Sequence, residues 1–154
     1  MDLEYKVGND SFNARVSAII YNKDKTKILL FKIDERDFYL LPGGKIKFNE
    51  DSLSAIKREI KEETGFDLEY KLYRIEENFL ERDNENIMQY CFCYKAIYEQ
   101  EINEKEFKCL DREGQKFYWI DINNLDNIKV FPKINFEYIN SNDINYAVNK
   151  DVDV

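Results

Sequence analysis

The 154-residue chain contains no histidine. That absence removes the Ser-His and Cys-His pairs of nucleophilic hydrolases and the imidazole ligand of many metal sites. Cysteine is scarce and odd in number. Cys91, Cys93 and Cys109 form no C-x-x-C pair, so neither a zinc knuckle nor a disulfide framework is expected. Cys91 and Cys93 stand two apart, share one strand face and read as buried thiols. With five glycines and two prolines there is no Pro/Gly/Ser linker, and no repeat or low-complexity tract interrupts the chain. No apolar run approaches the ~18 residues that cross a bilayer. The opening MDLEYKVGND lacks the basic, apolar and small-residue regions of a secretory signal. The expectation is a cytoplasmic protein with no membrane partner.

Acidic residues, by contrast, are plentiful: 31 against 23 basic, a net charge of −8. That balance argues against a nucleic-acid duplex, whose phosphates want Lys and Arg. It leaves room for a small phosphorylated ligand, because divalent ions bridge carboxylates to phosphates. Hydrophobic residues at 44% and aromatics at 15% are enough for a packed core, read as one domain over residues 1–154. Strands are expected at 14–21 and 28–33 as a hairpin, at 38–41 before Pro42-Gly43-Gly44, and near 68–79, 87–98 and 116–120. Residues 99–113 read as a charged loop, and the 133–140 region and the neighbourhood of Leu125 as helical. The polar tail from about Asn140 is expected to fray. One helix is clearly marked: Asp51 or Ser52 caps it, Gly65 stops it, and Leu53, Ile56 and Ile60 form a core-facing stripe. Strands on both sides of that helix indicate an α/β fold with a mixed sheet.

The chemistry is concentrated in Gly44–Phe66, GKIKFNEDSLSAIKREIKEETGF. At about 100° per residue, Glu59, Glu62 and Glu63 occupy about 100° of one helix face. Like charges at i,i+3 and i,i+4 repel, so three glutamates within one turn serve no purpose in helix stability. A bound cation offsets the repulsion, and hard Mg²⁺ or Mn²⁺ prefers such carboxylate oxygens, with substrate phosphate completing the shell. The preceding Gly-Gly lets backbone come close to metal or substrate. A solvated acidic face would explain the glutamates alone. It would not explain Gly44, Glu50, Arg58, Gly65 and two apolar positions at fixed spacing.

These residues match G-x5-E-x7-R-E-U-x-E-E-x-G-U, with U apolar, at every specified position. The chain therefore resembles the Nudix hydrolases, most closely MutT-like members. The resemblance implies an α/β/α sandwich with a mixed β-sheet between helices. It also implies Mg²⁺- or Mn²⁺-dependent hydrolysis of a nucleoside diphosphate linked to another group. By position, Glu59 and Glu63 look like the main metal ligands, Glu62 a further ligand or supporting group, and the Gly44 carbonyl a contributor. Arg58 and Glu50 look like supports that orient the carboxylates. Without histidine, the general base falls to a carboxylate, a lysine or metal-bound hydroxide.

Outside the box, Glu113-Gly114-Gln115 precedes Trp119 at the distance seen in some MutT-like members, whose glutamate acts as ligand or base. Glu113 is thus a candidate beside Glu101, Glu104 and Glu106 of the same acidic loop. Lys47 stands where many members carry an acid and is read as a phosphate contact. Asn49 replaces a common glycine and tolerates left-handed backbone. Arg15 is a further phosphate candidate, and Tyr39 and Tyr90 are candidates for stacking on a base.

No NADH, ADP-ribose or coenzyme A signature is present. The leading expectation is a nucleoside triphosphate pyrophosphohydrolase acting as monomer or homodimer. The alternatives are a non-catalytic nucleotide or sugar-nucleotide sensor, or a hydrolase of ADP-ribose, dinucleoside polyphosphates or RNA 5′ ends. An isopentenyl diphosphate isomerase is disfavoured by the missing histidine.

Overall fold

Two long strands rich in β-branched and aromatic residues carry the architecture. In the computed structural model, which describes residues 1–131, 134, 136 and 139–151, these are β2 (Asp10–Asn22) and β7 (Glu85–Tyr98). They run parallel from Asp10↔Asn86 to Asn22↔Tyr98. Period-two alternation divides their side chains between two faces. Ala14, Val16, Ala18, Ile20, Tyr94 and Ala96 pack in one core cluster. Ile19, Tyr21, Cys91 and Cys93 pack in the other.

The remaining strands are β1 (Glu4–Val7), β3 (Lys27–Ile33), β4 (Tyr39–Leu40), β5 (Gly43–Lys45), β6 (Lys71–Arg82), β8 (Glu106–Lys108), β9 (Gln115–Asp121), β10 (Val130–Phe131) and β11 (Asn145–Asp151). The main path through the sheet is β10-β4-β3-β2-β7-β6-β11, with β1 and β5 also on β2, and β9 on β3. Three of its neighbouring pairs are parallel and three antiparallel, so the sheet is mixed, as expected. On the first face lies α1 (Ser52–Thr64). Against the second core cluster pack Ile122 and Leu125 of a 3₁₀ helix (Ile122–Asn127). Helical structure thus covers both faces of the sheet.

The hairpin of β2 and β3 forms, but its ladder is confined to Tyr21↔Ile28. Beyond that point β3 leaves to pair with β9 along its whole length, and β2 pairs with β7 and β5. The charged loop at 99–113 contains the short β8, which joins β9. Where a fraying tail was expected, β11 instead lies parallel to β6 from Asn145↔Arg74 to Asp151↔Leu80. The expected helix at 133–140 falls largely outside the described residues.

The caps of α1 follow the sequence. The Asp51 side chain accepts from Ser54 N–H at 2.7 Å. Gly65 adopts left-handed φ of 78° and donates its N–H to Lys61 O. Ile56 and Ile60 are fully buried together with Ala55, but Leu53 is 39% exposed. Leu53 lies in the first turn, so the apolar stripe begins one turn later than its spacing implied. Asp51→Ala is expected to destabilise the protein by about 1 kcal/mol, measured as a lower urea midpoint with an unchanged slope.

Candidate active site

The turn into α1 is built around one guanidinium. Arg58 donates to Glu50 through both branches, Nε to Oε2 at 2.6 Å and Nη2 to Oε1 at 2.9 Å. Nη2 also reaches Lys45 O at 3.1 Å, and Nη1 reaches Glu59 Oε1 at 2.9 Å and Glu62 Oε2 at 3.4 Å. Such forked, charge-assisted contacts fix a carboxylate's direction as well as its position. Arg58 holds the Glu50 carboxyl below its usual range, chiefly through these hydrogen bonds, and the guanidinium is in turn held further up by Glu50. Glu50 Oε1 also accepts from the Lys47 N–H at 3.0 Å. The turn between them uses Asn49 at φ 65°, the left-handed conformation that asparagine tolerates.

Gly43 and Gly44 lie against different neighbours. β5 pairs with β2 through Ser17↔Gly43, Val16↔Gly44 and Arg15↔Lys45. A Cβ on Gly43 would fall 2.0 Å from Val16 O, a backbone atom. A Cβ on Gly44 would fall 2.3 Å from Glu59 Cδ, inside the carboxylate. The glycine pair therefore lets the strand reach the sheet on one side and the helix carboxylate on the other.

Glu59 and Glu63 are one helical turn apart and buried, at 8% and 5% exposure. Both line a cavity of about 420 Å³ whose walls also include Gly43, Gly44, Arg15, Phe31 and Arg112. Burial, then the charges of Glu59 and Asp111, push the Glu63 carboxyl up to about 8. A larger hollow of about 760 Å³, lined by Tyr21, Phe66 and Lys95, contains none of Glu50, Glu59, Glu62 and Glu63.

The structure sorts the sequence candidates. Gly44, Glu59, Glu63 and Arg15 meet at the cavity. Arg58 supports it from behind. Glu62 does not line it: its side chain is 44% exposed and leans on Arg58. Glu113 is exposed and also off the wall, although Arg112 and Gln115 beside it are on it. Lys47 is exposed, with its backbone bridged to Asp2. Tyr39 packs edge-on against Tyr118 with Lys32 over its ring. Tyr90 points to the opposite face, where it meets Phe12. The cavity-lining residues of β7 are its odd ones, Gln89, Cys91 and Cys93, so Tyr90 is excluded by strand parity.

Residues not singled out from the sequence complete the wall: Tyr73, Arg74, Glu76 and Asn78 of β6, with Phe131. Phe31 is a further aromatic residue of the wall.

The NUDIX domain model matches residues 11–140. Over 124 residues the chain is 30% identical to the m7GpppN-mRNA hydrolase of Saccharomyces cerevisiae, a match that covers 80% of this chain and 12% of that protein. This chain thus corresponds to a small part of that relative. An RNA pyrophosphohydrolase of Ruthia magnifica is 38% identical over 64 residues, covering 42% of this chain and 35% of that one. Among solved structures, the MutT protein of Bacillus halodurans superposes with a TM-score of 0.62 at 20% identity, covering 78% of this chain and 75% of that one. At that identity the likeness is one of fold.

Gly43→Ala is expected to lower stability by about 2–3 kcal/mol, because backbone cannot yield as a side chain can. Gly44→Ala should keep the fold but displace Glu59, weakening divalent-cation binding about tenfold or more by titration calorimetry.

In chelator-treated protein, Glu63 makes stability depend on pH. A free carboxyl near 4.5 loses its proton on unfolding, whereas folded Glu63 keeps its proton up to about 8. Between those values unfolding releases a proton, so the Glu63 contribution to stability is full below about 4.5 and declines as pH rises to about 8. Melting curves of Glu63→Gln should lack this slope, and saturating Mg²⁺, which favours the ionised carboxylate, should abolish it in the parent protein.

Proposed function

Because the chain belongs to the NUDIX domain family, we propose that it hydrolyses a phosphoanhydride bond in a nucleoside diphosphate linked to another group, with nucleoside triphosphates as the leading substrates. The observation that carries this reading is the pairing of Glu59 and Glu63 on one wall of a cavity that also contains Arg15 and Arg112. The donor set is all oxygen, which suits a hard divalent cation. Glu63 is raised by burial and by the neighbouring charge of Glu59, a like-charge repulsion that a cation between them relieves. Glu59, Glu63 and the Gly44 carbonyl are proposed to hold Mg²⁺ or Mn²⁺, which when bound polarises a phosphoryl oxygen and acidifies a water.

The chain's own side chains do the rest. Arg58 keeps the Glu59 carboxylate aimed and ties Glu62 to the same cluster, so Glu62 acts through Arg58. Arg15 and Arg112 receive phosphate charge from the β2 side and from the loop before β9. Phe31 and Phe131 offer ring faces for a base. Glu113, between cavity-lining Arg112 and Gln115, is the proposed general base, carried on a loop.

A second reading is an RNA 5′ end as substrate. It is favoured by the activities for which the yeast and Ruthia relatives are named, while the net charge of −8 disfavours a long RNA track.

Phosphate or pyrophosphate release should be assayed with Mg²⁺ or Mn²⁺ over nucleoside triphosphates, ADP-ribose, dinucleoside polyphosphates, and triphosphorylated and capped oligonucleotides. Turnover of a free triphosphate, reduced about a hundredfold or more in Glu59→Gln and Glu63→Gln, is the expected result. Preference for the oligonucleotides would establish the second reading. Nucleotide binding with no turnover on any substrate would overturn both and leave a sensor.

A further inference from the structure

The floor of the cavity holds a second group of ligating atoms, of different chemistry. Cys91 and Cys93 are buried and reduced, yet both line the cavity, as does Glu76. Cys91 Sγ and Cys93 Sγ are 3.8 Å apart. Cys93 Sγ is 3.4 Å from Glu76 Oε1. The three ligand atoms all lie within 4.8 Å of one another. Around a tetrahedral Zn²⁺, with Zn–S of about 2.3 Å and Zn–O of about 2.0–2.2 Å, two sulfurs stand about 3.8 Å apart and sulfur and oxygen about 3.5 Å apart. The Sγ–Sγ and Cys93 Sγ–Glu76 Oε1 spacings match two edges of such a tetrahedron, and the third edge is within 4.8 Å.

The supports around these atoms also suit a site. Glu76 Oε2 accepts from Arg74 Nε at 3.1 Å and from Asn149 Nδ2 at 3.2 Å, which turns Oε1 toward the thiols. Cys91 Sγ lies 3.6 Å from Ser17 Oγ. All the ligands stand on paired strands, with Glu76 directly opposite Cys91 and Arg74 opposite Cys93. Rigid strands hold ligand geometry better than loops do. Two thiolates and a carboxylate balance a divalent cation together with the Arg74 guanidinium.

We propose that Glu76, Cys91 and Cys93 bind one thiophilic divalent cation of the Zn²⁺ class, with its fourth position open to the cavity. The site is distinct from the glutamate pair: soft sulfur donors select against Mg²⁺, and the carboxylates of α1 contribute nothing to it. Binding displaces the thiol protons to solvent and involves no electron transfer. Packing of two buried thiols would account for the sulfur contact alone. It would leave unexplained a carboxylate that is fixed by two donors and aimed at the sulfurs beside an open cavity.

The test is titration of the reduced, chelator-stripped full chain with Co²⁺, followed by displacement with Zn²⁺. The expected result is a thiolate-to-cobalt charge-transfer band whose intensity corresponds to one Co²⁺ at the thiols, apart from any held by the glutamates, and which Zn²⁺ removes. Cys91→Ser and Cys93→Ser should each abolish the band. Glu76→Gln, which keeps the shape of the side chain, should weaken binding about tenfold or more. Cys109→Ser and Glu63→Gln should leave the band intact, which separates this site from the hydrolase reading. In the unsubstituted protein, Zn²⁺ should also slow alkylation of Cys91 and Cys93, a readout independent of how the variants fold. The proposal is overturned if the folded parent protein shows no charge-transfer band, or if the band survives in the Cys91→Ser/Cys93→Ser double variant.

Discussion

The space occupied by the Glu59 carboxylate against the Gly44 backbone is the constraint around which the rest of the site is organised. A helix carboxylate can lie that close to a strand only where the strand has no side chain. The strand in turn reaches that position only because Gly43 passes over the Val16 carbonyl. Pro42 immediately upstream contributes no donor but offers its carbonyl to Ala18 N–H at 2.9 Å. Three consecutive residues thus attach β5 to β2 and leave a gap through which α1 faces the cavity. The helix packs on one face of the sheet through Ile56 and Ile60, while its carboxylates open toward the other.

Electrostatics set the second condition. Four glutamates of the box gather near one arginine, and they are not equivalent. Glu50 is fully engaged by the guanidinium, Glu59 shares it, and Glu62 touches it from solvent. Glu63 receives no contact from it and is the one whose proton is held to about 8. The arginine therefore neutralises the outer part of the cluster and leaves a charge deficit at the cavity wall. Breaking a buried pair by removing one partner strands the other charge, so Arg58 is as much a structural necessity for Glu50 and Glu59 as it is an aid to chemistry.

How much of this was legible in the sequence follows from the range of the contacts. The α1 caps, the burial of Ile56 and Ile60 and the gathering of Glu59 and Glu63 are local, spanning one turn or a few, and helical spacing exposes them. The placement of Arg58 against Glu50 is also short in range. By contrast, Tyr90 was assigned by residue type, and strand parity turned it away. Lys47 and Tyr39 lie near the site along the chain, yet point elsewhere. The fate of the tail was invisible because the pairing of β11 with β6 joins segments about seventy residues apart, and a polar strand carries little apolar alternation to announce itself.

The β6 wall shows why register, and not composition, decided the cavity floor. Leu72 pairs with Tyr94, but Arg74 pairs with Cys93, so Tyr73 is an extra residue that opposes no partner of its own. Directly opposed residues of an antiparallel pair share a face. Without the irregularity, Ile75 would join Tyr73 opposite the thiols, and Glu76 would join Tyr90 on the far side. The single inserted residue exchanges an apolar lining for Arg74, Glu76 and Asn78 along the whole of the remaining strand. No periodicity in residues 71–82 marks that exchange. The glutamate pair on α1 could be read from a helix alone. The sulfur-and-carboxylate group required two strands, a bulge and their register. One cavity therefore carries two donor sets of opposite hardness, and only the hard one was written locally in the chain.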